Sequence, residues 1–194
     1  MLCSLTSPIR VVTLKGIKLR LIMAFNIFAL LKRLPFIPEK KFLEWYPPFW
    51  LMRVKVIEMK DNGRVVRLKL PLTLFSKNMG ESMFGGYQAA VADPIAAIVC
   101  AKIFPGHEVW TRSQNIDFQN EGNSDLELRF EFSAETEKQI KEDLAKKGRS
   151  TPVFEYGFYR KDGVRCSKVV NTVAIRPKGY QLQREVKKVK IKEK

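Results

Sequence analysis

The stretch NMGESMFGGYQAAVADP, Asn78 to Pro94, holds the residues in this chain best suited to chemistry. Gly85 and Gly86 open an apolar helix. The first amides of a helix have no partner within it, and two residues without side chains let a carbonyl oxygen come close to them. Eight positions after Gly85, Asp93 sets a carboxylate among Ala92, Ile95 and Ala96. Burial there drives a carboxyl pKa upward, which suits a general base. Attack on a carbonyl needs a base or nucleophile, and donors for the charge that develops on oxygen. Plain structural alternatives stand beside this reading. The glycine pair is also what a tight turn uses. Asp93-Pro94 is also what a helix restart uses, Asp as cap and Pro at the first position, because an interior proline costs ~3 kcal/mol unless the helix kinks.

Spacing adds a constraint. Eight helical residues rise about 12 Å, so Gly85 and Asp93 of one chain cannot both reach one carbonyl carbon. Either the helix is broken between them, or a site combines Gly85 of one subunit with Asp93 of another.

The surrounding elements follow from punctuation and periodicity. Prolines at 35, 38, 47 and 48 bound a short helix over Lys40–Trp45. Strands are predicted over Met52–Met59 and Arg64–Leu72, joined by a hairpin turn at Asp61-Asn62-Gly63. Gly86–Phe104 is apolar nearly all round and is predicted to be a buried helix. Strands return over Glu108–Phe118 and Asp125–Phe132, with a turn at Glu121-Gly122-Asn123. A charged helix, Ala134–Lys147, is capped by Ser133. The last two strands, Val153–Arg160 and Val164–Arg176, meet at Asp162-Gly163. The order predicts an α+β fold: an antiparallel sheet wrapped around one long buried helix, with N-terminal helices and a helical insertion. An open sheet edge invites edge-to-edge pairing with a second copy.

Composition narrows the rest. The 194 residues are 45% apolar, enough for one domain with extensions. Cys3, Cys100 and Cys166 are odd in number and far apart, which fits a reducing, cytoplasmic setting. His107 is the one histidine and follows Pro105-Gly106, as a surface residue would; no zinc site and no cofactor are expected. The net charge of +15 belongs mainly to the ends: +7 in residues 1–41, +4 in 181–194 and +4 between them. Three parts are therefore expected: a basic apolar N-terminal helical extension (1–41), a central domain (42–180) and a basic mobile tail (181–194). Leu21–Leu31 is eleven residues, too short for a span that needs roughly 20. It reads as a helix packed on its own domain or a partner subunit, with peripheral contact to an anionic membrane as the sharper alternative. Basic ends without interleaved aromatics argue against nucleic acid as partner. No Gly-x-Ser-x-Gly elbow is present, which argues against a serine-hydrolase triad. Trp45, Trp50 and Trp110 read as core or interface anchors.

Asn78, Phe84, Gly85, Gly86 and Asp93, with Thr111 eighteen positions after the acid, stand at a spacing that resembles the hotdog-fold acyl-CoA thioesterases of the phenylacetate-pathway type. The resemblance spans about residues 50–176. It is closest to a branch with Phe-Gly-Gly and Ala-Asp-Pro variants and the helical insertion. It implies thioester hydrolysis of an acyl-CoA or acyl-carrier substrate, in fatty-acid metabolism, by a homodimer (a dimer of dimers being the larger alternative). It further implies catalytic Asp93, Gly85, Asn78 and Thr111, and substrate contacts from Phe84 and Gly86. Within the family the acid is either general base or nucleophile, and both stay open. Asn78 would bind the attacking water or the carbonyl oxygen, and Thr111 would orient the carboxylate or the water. Thr111, Ser113, Asn115 and Asp117 alternate and could share one strand face; a solvated face is the preferred reading for the last three. Two departures stand out. The family commonly has histidine where this chain has Phe84, and Pro94 directly follows the acid. A non-catalytic acyl-thioester binding or sensing module is the alternative function.

Overall fold

The computed structural model describes residues 38–180. The chain divides into two units, residues 1–42 and 43–194. The predicted helix at Leu21–Leu31 and the basic tail from residue 181 lie outside the described residues. Of the first unit only 38–42 are described, and they include the start of helix α1 (Glu39–Trp45).

The second unit carries the rest. Tyr46 leads into the short helix α2 (Pro47–Leu51), whose first two positions are proline, where a missing amide costs nothing. Strands β1 (Lys55–Lys60) and β2 (Val65–Leu70) form the predicted hairpin. Its turn needs left-handed backbone, with φ of 49°, 58° and 87° at Asp61, Asn62 and Gly63, which these residue types tolerate. Helix α3 (Gly85–Ile103) is followed by β3 (His107–Phe118) and β4 (Leu126–Glu131). The insertion helix α4 (Ala134–Lys147) precedes β5 (Val153–Tyr159) and β6 (Arg165–Pro177).

All six strands form one antiparallel sheet in the order β1-β2-β4-β5-β6-β3. Its apolar parity is continuous: Val66, Leu68 and Leu70 pair with Phe130, Leu128 and Leu126, all buried. Phe154, Tyr156 and Phe158 carry it across β5, and Val169, Val173 and Ile175 across β6. Helix α3 lays Val91, Ala92, Ile95, Ala96, Val99 and Cys100 on that face, at the spacing of one helical stripe. The opposite stripe, Gly86, Ala90, Asp93, Ile98 and Ala101, is exposed in the single chain. An apolar helix thus meets its own sheet with only half its circumference.

Strand β3 is twelve residues long and forms one edge of the sheet. Its register against β6 slips between Thr111 and Ser113, leaving Arg112 in a bulge. Parity reverses there. Thr111 faces the helix together with Gln114 and Ile116, while Ser113, Asn115 and Asp117 are exposed. The alternation expected across Thr111–Asp117 is therefore broken after its first member.

Candidate active site

The start of α3 is held from two sides. Phe84 donates its amide to Ser76 O at 2.7 Å, and Met83 donates to Gly122 O at 2.9 Å. Ser76 is buried and turns the preceding loop by donating to Pro71 O at 2.8 Å and accepting from Thr73 N at 2.7 Å. Phe84 occupies the cap position but offers no side-chain oxygen. Among the described residues no group accepts from the amides of Gly85 or Gly86. Those two donors carry a partial positive charge from the helix behind them.

Both glycines lie against neighbouring rings. A Cβ on Gly85 would come within 2.8 Å of the Phe118 ring, and one on Gly86 would overlap the Phe84 ring. Phe84, half exposed, therefore lies across the second glycine and meets Tyr87 edge-on with centroids 6.1 Å apart. Asn78 braces its own loop. Its Oδ1 accepts from the amides of Gly80 at 2.9 Å and Ser82 at 3.2 Å, and its Nδ2 donates to Ser82 Oγ at 3.2 Å. It shapes the loop that leads to the helix, with one Nδ2 proton left over.

Asp93 sits two turns into α3. Its carboxylate is exposed, not buried among Ala92, Ile95 and Ala96, so the expected desolvation is missing in the single chain. Among the described residues it accepts no hydrogen bond and caps nothing. The helix runs without interruption through Pro94, which removes the reading of Asp93 as the cap of a second helical half. It also closes the broken-helix option: Gly85 and Asp93 of one chain stay about 12 Å apart along the axis. Thr111 does reach residue 93, but through the backbone. Its Oγ1 donates to the Asp93 carbonyl at 2.7 Å, leaving the carboxylate untouched.

Around that bond lies a polar group the sequence reading did not single out. Asn171, fully buried, donates from Nδ2 to the Asp93 carbonyl at 3.2 Å and to Tyr156 Oη at 3.0 Å. Tyr156 in turn donates to the Ala92 carbonyl at 2.8 Å. Burial pushes its phenol well above the usual range, keeping it a neutral donor. Gln114 donates to the Ala89 carbonyl at 3.1 Å. One turn nearer the helix start, buried Gln88 accepts from Ser167 Oγ at 2.7 Å. A signal was available for Asn171: it falls on the same parity as Val169, Val173 and Ile175, where an amide is out of place. Gln114 was hidden by the bulge.

His107 is half buried with Nδ1 unpartnered, and Trp45, Trp50 and Trp110 are all more than a third exposed, which excludes a core role in the single chain. Among the described residues no cluster of metal-ligating side chains occurs, and no helix is long and apolar enough to cross a membrane.

The sheet-around-helix architecture is the hotdog fold. The chain belongs to the family described as "Domain of unknown function (DUF4442)", whose model matches residues 39–175. Solved structures share the fold at low identity. A Pseudomonas aeruginosa protein described as a "Probable Thioesterase" is 13% identical over 66% of this chain and 85% of its own, with a TM-score of 0.58. A Chlorobaculum tepidum protein of unknown function is 14% identical over 71% of this chain and 91% of its own, also at 0.58. A thioesterase from Haemophilus influenzae is 10% identical over 72% and 89%, at 0.54. A comparison with curated proteins returns no match.

Proposed function

We propose that this protein hydrolyses an acyl-CoA or acyl-carrier thioester at a site shared by two copies of the chain. The observation that carries the reading is the unbroken helix from Gly85 through Asp93, with unpartnered amides at its start and an exposed carboxylate two turns on. The distance between them calls for a second chain. In a pair, the thioester oxygen of the substrate lies against the Gly85 and Gly86 amides of one protomer, and Asp93 comes from its partner. Asp93 takes a proton from water as the water oxygen bonds to the acyl carbon, charge gathers on the carbonyl oxygen, and the C–S bond then breaks as Asp93 returns the proton to the departing thiolate. Alternatively Asp93 attacks directly, and water opens the resulting anhydride. The stripe of Gly86, Ala90, Ile98 and Ala101 beside Asp93 is the surface a second copy would cover, and covering it would supply the desolvation a base requires. The remaining Nδ2 proton of Asn78 is the donor it can offer to water or carbonyl.

Purified protein incubated with acyl-CoAs of graded chain length should release free CoA, and Asp93→Ala should lower kcat by roughly a hundredfold or more. Unchanged turnover in Asp93→Ala removes the base from the mechanism. Label in Asp93 after a single turnover in ¹⁸O-water marks an anhydride opened at the Asp93 carboxyl carbon, a position the general-base route never labels. One observation favours a second reading, a non-catalytic acyl-thioester binding module: an aromatic ring, Phe84, crosses the second glycine in place of a polar side chain. Saturable acyl-CoA binding without CoA release at high protein concentration is its signature.

A further inference from the structure

Three strands converge on the backbone of the turn that carries Asp93. Thr111 from β3 and Asn171 from β6 both donate to its carbonyl, and Tyr156 from β5 donates to the carbonyl before it. A helical carbonyl already has the amide four residues on as its partner, so the helix does not need these donors to satisfy it. Nor does packing need them. Position 171 lies on the core parity of its strand, and Asn171 Oδ1 is buried there with no partner, a situation that costs about 1–3 kcal/mol. An apolar side chain would fill the same space without that cost. What the donors do accomplish is to fix one turn of helix in height and rotation against the sheet. That turn is the weak one, because Pro94 has no amide to give the Ala90 carbonyl.

We propose that Asn171 and Tyr156 are positioning residues that clamp the turn bearing Asp93, so that its exposed carboxylate is presented to the partner's glycine amides in one orientation. The inference rests on the thioesterase reading for its kinetic consequence, and on the hydrogen bonds alone for its structural one. The clamp acts on the backbone, and neither side chain touches substrate.

The test uses the full chain with Tyr156→Phe, which deletes one oxygen, and Asn171→Leu, which replaces the amide by an apolar group of similar shape. Each is assayed for acyl-CoA turnover, for thermal unfolding, and by amide hydrogen exchange at Ala96 and Ala97, whose amides bond the clamped Ala92 and Asp93 carbonyls within the helix and report that turn without substrate. Expected are a fall in kcat of roughly tenfold to a hundredfold with KM within about twofold, and exchange at those two amides faster by roughly tenfold relative to the rest of α3. In an Asp93→Ala background the same changes should leave the residual rate where it was. Folded variants that keep wild-type kcat, or that keep wild-type exchange at Ala96 and Ala97, overturn the proposal. Should Asn171→Leu fail to fold, Tyr156→Phe decides by the same criteria. A wild-type protein that hydrolyses no acyl-CoA removes the thioesterase reading, and the exchange measurement still decides whether the clamp exists.

Discussion

At the level of single residues, close contacts matter more than polarity for the glycines. Gly85 and Gly86 lie under aromatic rings, and Gly157 lies against a main-chain oxygen, that of Ser167 on the neighbouring strand. A ring can swing aside, whereas a paired strand cannot. Gly157→Ala should therefore lower stability by about 1–3 kcal/mol through overpacking, read as a shift of the urea midpoint with the slope unchanged. Gly86→Ala should leave the midpoint nearer wild type, because Phe84 is half exposed and free to move. The Asp93 carboxylate, by contrast, does not share the burial of its neighbours in sequence. Ala92, Ile95 and Ala96 are buried as expected, yet residue 93 projects between them on the other side of the helix. Neighbours along a helix point in different directions, so an apolar neighbourhood in sequence does not bury a side chain.

Among the elements, α4 is the clearest case of local chemistry fixing its own boundaries. Ser133 Oγ accepts from Thr136 N at 3.1 Å at one end, and Gly148 takes a left-handed φ of 64° at the other. Ser133→Ala should cost about 1 kcal/mol, seen in thermal unfolding. The helix is tied to the hairpin turn by Glu137, which accepts from Arg64 Nε at 2.8 Å and pairs with Lys141 at 2.8 Å. These bonds, the one from Arg64 foremost, lower the Glu137 pKa from 4.5 to about 2. A carboxyl whose folded pKa is depressed stabilises the fold above its unfolded pKa and loses that contribution as pH falls through the folded one. Glu137→Gln should therefore be less stable than wild type at neutral pH, with the gap closing between about 4.5 and about 2. Urea midpoints across that range check it. Strand extents on either side of α4 followed from alternation and turn residues. The slip at Arg112 did not, because a bulge is set by pairing with β6, a strand more than fifty residues away.

For the whole molecule, the question is whether two copies complete each other. If Gly85 and Asp93 act across a pair, inactive Gly85→Val and inactive Asp93→Ala chains should restore activity when unfolded and refolded together. Each mixed dimer then has one intact site, and random pairing gives roughly a quarter of the wild-type rate. No recovery in demonstrably mixed dimers would mean that the two residues belong to one chain's site or to none. Light scattering should accordingly give twice the chain mass. The edge of β3, without a strand partner among the described residues, and the exposed stripe of α3 are the surfaces such an assembly would use.

Local rules along the chain were sufficient for the hairpins, the capped insertion helix, the long apolar helix and the glycine pair at its start, because each depends on residues within a few positions of one another. Non-local packing decided the rest. It set the outward direction of the Asp93 carboxylate and the reach of Thr111 to a backbone oxygen. It also brought Gln114, Tyr156 and Asn171 beneath one turn of helix from three strands, a meeting fixed by sheet register and invisible to any window along the sequence.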